Sequence, residues 1–449
     1  MTTGVGDADR NRWFLVTRRR YTDRNAMESV STTVRRLVRF DVLALTAAIW
    51  FLAKFLRYAF PPLFGAFQTS YGVSNATLGT AFTGFMLVYA VMQFPSGVLA
   101  DRLGSVVVVT AGALIAATAA LTLTVDAPFA VLVAAMLVMG GGTGVHKTVS
   151  VRLLSRAYPE RTGRALGVLD TVGTFSGVVA PTAVIAVAGL TFAFGESWRL
   201  IFLGGGLVGL TLAALFRVRV PKRVPDETTA DGPTGGVDAI DLGTYTRLLR
   251  NRRFATFALL TVLFSFTYNG LVAFIPLYLT DAAGFTDATA SLLYSLFFLV
   301  SFVQLGTGEL SDRLGRLPII ACSLGVAAVA LIAFISLTGT AGPLLLGGTL
   351  VAVGVGSHGF RPVRGAYLMT VIPDDIAGGG LGAVRTLLMG AGAIAPAIVG
   401  TVSEVADFRS AFWLLAATVT GATALAVFLL ATDRGVDRYL RAVRSIARR

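Results

Sequence analysis

Charge is scarce in this chain. Asp, Glu, Lys and Arg make up 14% of its 449 residues, against roughly 25% in an ordinary soluble domain. Lysine is nearly absent, occurring only as Lys54, Lys147 and Lys222. The single cysteine, Cys322, excludes an intramolecular disulfide framework. Two histidines, His146 and His358, and that one cysteine supply no metal-ligand cluster. No phosphate-cradling Gly-x-x-x-x-Gly-Lys loop is present, which removes the usual sign of nucleotide-driven work. Neither does a coherent nucleophile–base pair emerge, so the sequence predicts no enzyme, no cofactor and no metal.

Long apolar stretches are abundant instead. Hydrophobic residues make up 55% of the chain, and a bilayer core about 30 Å thick needs around 20 of them per helix. Fifty glycines suit close packing between such helices. The pattern predicts an all-α membrane protein with twelve transmembrane helices. They fall approximately at 41–65, 77–99, 105–124, 128–151, 163–190 and 196–217, then at 254–279, 288–308, 317–337, 341–366, 377–400 and 408–431. Cations near 146–147 and 361–364 allow the fourth and tenth helices to end earlier.

The parts between and around these spans carry the positive charge. Residues 1–40 form a polar tail with nine arginines, in which Val30, Val34, Leu37 and Val38 suggest a short interfacial helix. Residues 218–253 read as a polar linker, and 432–449 as a basic tail. The net charge of +13 therefore points to membrane topology and anionic lipid, not to nucleic acid. The positive-inside rule places both termini and the linker in the cytoplasm of a cell-membrane protein, with Arg199 and Arg409 as exceptions on the far side.

Two segments repeat. Gly97-Val98-Leu99-Ala100-Asp101-Arg102-Leu103-Gly104 and Gly308-Glu309-Leu310-Ser311-Asp312-Arg313-Leu314-Gly315 agree at six of eight positions. Each joins the second and third helix of its half, so the chain reads as two pseudo-symmetric six-helix bundles, 41–217 and 254–431. Gly97 and Gly308 suit close packing at a helix end, Asp101 and Asp312 can accept from helix-start amides, and Gly104 and Gly315 allow a tight turn. Arg102 and Arg313 can meet acids or lipid phosphate. The motif reads as a conformational latch, or as a static turn that fixes packing. A looser echo pairs Gly144-Val145-His146 and Arg152 with Gly356-Ser357-His358 and Arg364.

These marks, with Tyr158-Pro159-Glu160-Arg161-Thr162-Gly163-Arg164-Ala165-Leu166-Gly167, resemble the major facilitator superfamily. The resemblance implies a secondary transporter for a small solute, with a central cavity opened alternately to either side by rocking of two bundles. Helices 1, 4, 7 and 10 would line it. The first turn departs from the family's habit at Ser105, where a basic residue is common; Arg316 supplies one in the second.

Ionisable groups inside a bilayer are expensive, so each is a candidate for function. Lys54 and Arg57, near the middle of the first helix, share a face extended by Tyr58. They read as an anion-binding pair, or as partners of protein acids and carbonyls. Tyr268 and Asn269 in the seventh helix and Arg361 in the tenth add candidate substrate contacts, although Arg152, Arg361 and Arg364 also suit anchoring at the membrane surface. Asp170 is the one acid well inside a predicted span. It reads as a proton-coupling group, with His146 and Arg385 as further coupling candidates, or as an ion-pair partner of Lys147, Arg152 or another cation. The expected partners are a small-molecule substrate, membrane lipids and a possible proton or counter-ion. The preferred function is carriage of an organic or phosphorylated anion; a proton-coupled exporter of amphipathic or drug-like compounds and a non-transporting solute sensor are the alternatives.

Overall fold

The computed structural model describes residues 41–190, 195–224, 250–371 and 390–433. The tail over 1–40, most of the linker and C-terminal tail, and the predicted coupling residue Arg385 lie outside the described residues.

The described chain is helical almost throughout. Eleven helices are long and apolar enough to cross a membrane. They are α1 (Asp41–Tyr71), α2 (Asn75–Leu103), α3 (Ser105–Thr122), α4 (Phe129–Ala157), α5 (Pro159–Val187), α6 (Arg199–Lys222), α7 (Arg252–Asp281), α8 (Asp287–Leu314), α9 (Arg316–Leu337), α10 (Pro343–Val371) and α12 (Phe408–Ala431). A shorter apolar helix, α11 (Ala391–Val405), completes a set of twelve. Side-chain oxygens of Ser74, Asn251, Thr286 and Asp407 cap the starts of α2, α7, α8 and α12, taking up amides that hydrocarbon cannot satisfy.

Packing repeats between the halves. In the first, α3 lies against α4 and α6; in the second, α9 lies against α10 and α12. Across the divide α2 packs on α11 and α5 on α8, two contacts related by a pseudo-two-fold axis. The two repeated turns share one backbone geometry: Gly104 has φ 85° and ψ 147°, and Gly315 has φ 92° and ψ 152°. Only glycine adopts this region without strain, so these two residues set the sharp entry into α3 and α9.

The register of α4 and α10 differs from the sequence echo. A Cβ on Gly140 would lie 2.6 Å from the Phe85 carbonyl, and one on Gly354 2.9 Å from that of Phe297. Likewise Gly142 faces the Ala116 amide and Gly356 the Ala327 amide. These contacts make Gly142 the counterpart of Gly356, two residues away from the pairing of Gly144 with Gly356. In this register Lys147 corresponds to Arg361, while Arg152 corresponds to Ala366 and not to Arg364. His146 and His358 are not equivalent positions. Nor do α4 and α10 end early: both continue past their cations, to Ala157 and Val371.

The seam between halves lies at the end opposite the turns. There the Thr83 hydroxyl accepts from the Ala397 amide at 2.9 Å, and Glu404 accepts from the Ala76 amide at 3.1 Å. A Cβ on Gly79 would strike the Pro396 carbonyl. On the symmetry-related side the Ser295 hydroxyl donates to the Val178 carbonyl at 3.2 Å, and Gly177 backs onto the Phe298 ring. Replacing Gly79 by Val is therefore expected to pry this seam open. A cysteine at Thr83 in a Cys322→Ser background should then react with an impermeant maleimide about tenfold faster or more; an unchanged rate would show that the seam tolerates the side chain.

At the same end sit the two exceptions to the charge rule. Arg199, 2% exposed, donates to the Leu123 carbonyl at 3.4 Å and to that of Val125, and pairs with Asp126 at 2.7 Å. Arg409 donates in the same manner to the Thr338 carbonyl. Each cation caps the C-terminal end of α3 or α9, where the helix dipole is negative. Beside Arg409, amide donation from Ser410 holds the Asp407 carboxyl below its ordinary range. Replacing Arg199 by Met should cost about 1–3 kcal/mol, because buried carbonyls lose their donor. A lowered thermal-unfolding midpoint in detergent, without loss of membrane insertion, is the readout.

Candidate functional site

A cluster of cations and rings lies between the halves, on the turn side of the seam. From α1, Lys54 is 9% exposed; its ammonium lies 5.3 Å from the Trp50 ring centroid and 5.8 Å from that of Tyr58. One turn on, the Arg57 guanidinium lies 5.6 Å from Tyr58 and 5.7 Å from Tyr89 of α2. It also crosses the divide: Arg57 Nη2 donates to Asn269 Oδ1 of α7 at 3.4 Å.

From α4, Lys147 stands 5.5 Å from Trp50 and pairs with Asp170 of α5. Arg361 of α10 lies 5.4 Å from the Tyr268 ring, and its Nη1 meets His358 Nδ1 at 3.4 Å. It is within electrostatic reach of Tyr58, Tyr89 and Asp170 in the other half. Phe297 and Phe298 of α8 back this group, with the Tyr58 and Phe298 centroids 4.5 Å apart.

The structure thus brings together Lys54, Arg57, Tyr58, Asp170, Tyr268, Asn269 and Arg361. His146 does not join them. It is 1% exposed and faces a small apolar cavity lined by Ile49, Ala53, Ala113, Gly209 and Leu212, inside the first bundle. Trp50, Tyr89, Phe297 and Phe298 join the cluster without having been singled out for it. Trp50 stands four residues before Lys54 on the helical face already marked by Lys54 and Tyr58, a signal that was available.

Charge in this cluster is unbalanced. Among the described residues, four basic side chains, Lys54, Arg57, Lys147 and Arg361, face one carboxylate, Asp170. A ring face is worth about 0.5–2 kcal/mol to a cation, whereas desolvating an ion costs several kcal/mol. Several buried polar atoms also lack partners: Trp50 Nε1, Arg57 Nε, Tyr268 Oη and His358 Nε2. The Tyr268 hydroxyl lies near the Tyr58 phenol without good hydrogen-bond geometry. Since Arg361 donates to His358 Nδ1, the imidazole hydrogen is assigned to Nε2, and the nearby Phe297 carbonyl does not meet it in good hydrogen-bond geometry. All four unpartnered atoms can then donate, which suits a ligand rich in acceptors.

The repeated turns differ in their attachments. Asp101 pairs with Arg152 of α4, at side-chain exposures of 58% and 29%, and not with helix-start amides. In the second half the position matching Arg152 is Ala366, whose carbonyl accepts from Arg316 at 3.0 Å. Arg313 pairs with Glu309 on its own helix, and Arg102 is exposed. Gly97 and Gly308 lie inside α2 and α8, not at their ends, and neither makes a close approach: a Cβ at Gly97 would be 3.9 Å from Thr148, and one at Gly308 meets nothing within 4 Å.

The sequence profile described as Major Facilitator Superfamily matches residues 46–357 and 307–448. The chain belongs to this superfamily. It is accordingly a membrane transporter rather than an enzyme, and it moves a small solute by alternating access. A hexuronate transporter of Bacillus subtilis is 26% identical over 385 residues, covering 80% of this chain and 87% of that protein. Among solved structures, a bacterial homolog of the human lysosomal transporter Spinster, inward-facing and occupied, superposes with a TM-score of 0.69 at 17% identity, over 87% of this chain and 97% of that one. A D-xylose–proton symporter gives a TM-score of 0.69 at 13% identity, with the same coverage. These likenesses show the fold. The basic cluster lies where the two bundles meet.

Proposed function

We propose that this transporter carries a small organic anion, bound first by Lys54 and Arg57. The observation that carries the reading is the surplus of cations in a cluster with one acid. In a low-dielectric interior such a surplus is costly until a negative charge arrives. The unpartnered donors support the same ligand class. So does the Bacillus subtilis relative, whose named solute, hexuronate, is a sugar carboxylate.

Positive-inside charge supports placing the turns, termini and linker in the cytoplasm. The state described here then faces the cytoplasm, with its seam closed on the outer side and the 58% exposed Asp170 side chain on the inner side of that seam. Asp101–Arg152 is a latch that holds α2 to α4 and is rearranged when the bundles rock. It is partly exposed, so it contributes no more than about 1 kcal/mol in this state. Asp170, engaged by Lys147, serves as an internal counter-ion.

The test is flux into vesicles containing the purified full chain, over a panel of neutral, zwitterionic and anionic solutes, with and without a proton gradient. Saturable flux of anions, competed by other anions, is expected. Good transport of neutral compounds while anions neither move nor compete would overturn the reading; ligand binding without flux would point to a sensor.

A further inference from the structure

Lys147 and Arg361 occupy equivalent positions in the two halves but have different surroundings. Lys147 is met by Asp170. Arg361 has the Tyr268 ring face and the His358 nitrogen as partners. Among the described residues no carboxylate pairs with it directly; Asp170, engaged by Lys147, acts on it only at longer range. Among the described residues, the first half therefore carries a built-in carboxylate for its cation, and the second half shows none paired with Arg361.

Lys54 and Arg57 form a separate group on α1, with rings and the Asn269 amide oxygen as partners. Unpartnered donors stand on both sides of the divide: Arg57 Nε in the first half, Tyr268 Oη and His358 Nε2 in the second. Tyr268 and His358 are 9% and 0% exposed, so bulk solvent does not reach them.

We propose that the transported solute carries two anionic groups, one held by Lys54 and Arg57 and the other by Arg361. This rests on the anion reading above and narrows it. After Asp170 takes Lys147, three cations remain, and they are divided between the bundles. A monoanion satisfies one group and leaves the other bare. A second negative charge meets a cation that is already part-buried, which reduces the further desolvation that opposes it. A dianion also makes contacts in both halves at once. Such differential contact is what a solute must supply to favour one arrangement of two rocking bodies over another.

The experiment is equilibrium binding to the purified full chain in nanodiscs at neutral pH. Two ladders hold the skeleton fixed while charge rises: succinamide, succinamate and succinate; and glucose, glucuronate and glucarate. The dianion is expected to bind about tenfold tighter or more than the monoanion, with the gap narrowing at high salt. Arg361→Gln should weaken the dianion about tenfold more than the monoanion and so close the gap between them. If monoanion and dianion bind equally in both ladders, the two-charge assignment falls and the anion reading stands. If the neutral rung binds as well as the charged ones, or none of the six binds, both fall. The wild-type ladders decide the matter even if the Arg361 variant does not fold.

Discussion

Replacing Lys54 or Arg57 by glutamine is expected to lower anion transport about a hundredfold while leaving insertion and folding intact. Truncating one member of a desolvated, hydrogen-bonded charge pair costs about 2–5 kcal/mol of binding, and 2.7 kcal/mol corresponds to about a hundredfold. Stability should move the other way. Lys54 is 9% exposed and has ring faces, not a carboxylate, as its partners. Its removal relieves a buried charge, so the unfolding midpoint of Lys54→Gln should be unchanged or higher. A cation that served the fold would show the reverse split, with transport preserved and the midpoint reduced. Arg57→Lys should recover part of the activity, since it keeps the charge and loses the planar fork. Transport kinetics and thermal unfolding on the same preparations check all of this.

Asp170→Asn is expected to tighten anion binding about tenfold and to slow turnover by a similar factor. The substitution removes the carboxylate that offsets Lys147, so the cluster acts on the solute with one more net positive charge. One added unit charge at partly exposed range is worth about 1–2 kcal/mol. Tighter holding of the bound solute slows release. Adding Lys147→Gln to Asp170→Asn removes the extra cation and should restore the original affinity; the double-mutant cycle isolates the pair. A proton-carrying role would give a different result: Asp170→Asn would abolish gradient-driven accumulation, leave solute exchange at equal concentrations intact, and show no rescue by Lys147→Gln.

The sequence made the helices and their two-fold division legible because hydrocarbon tolerates few alternatives. A run such as Ser105–Thr122, without an ionisable residue, has no other way to satisfy its backbone in a bilayer. The turns at Gly104 and Gly315 were legible for a similar reason, since one residue type dominates that backbone geometry. The register of α4 against α10 was not. Gly144 and Gly356 look alike in sequence, but contacts with Phe85, Phe297, Ala116 and Ala327 decide which glycines correspond. That two-residue difference turned an apparent match of Arg152 with Arg364 into a match with Ala366. It also revealed that Lys147 and Arg361 are counterparts.

Within the site, Lys54, Arg57 and Asp170 stood out because charge inside a span is rare. Their aromatic partners did not. Trp50, Tyr89, Phe297 and Phe298 are among many aromatics in the spans, and only three-dimensional proximity separates a ring beside a guanidinium from one packed on lipid. By sequence, Asp170 could pair with Lys147, Arg152 or a cation on another helix. Helix packing selected Lys147, and Arg152 went to Asp101.

Trp50 gives the cluster an optical handle. Its indole lies beside both Lys54 and Lys147, with an unpartnered nitrogen. Of the other described tryptophans, Trp198 belongs to the seam end beside Arg199, and Trp413 is 41% exposed on α12. An arriving negative charge would alter the field that these ammonium groups impose on one indole. Intrinsic fluorescence, read against a Trp50→Phe control, would then report occupancy of the native chain without an attached dye.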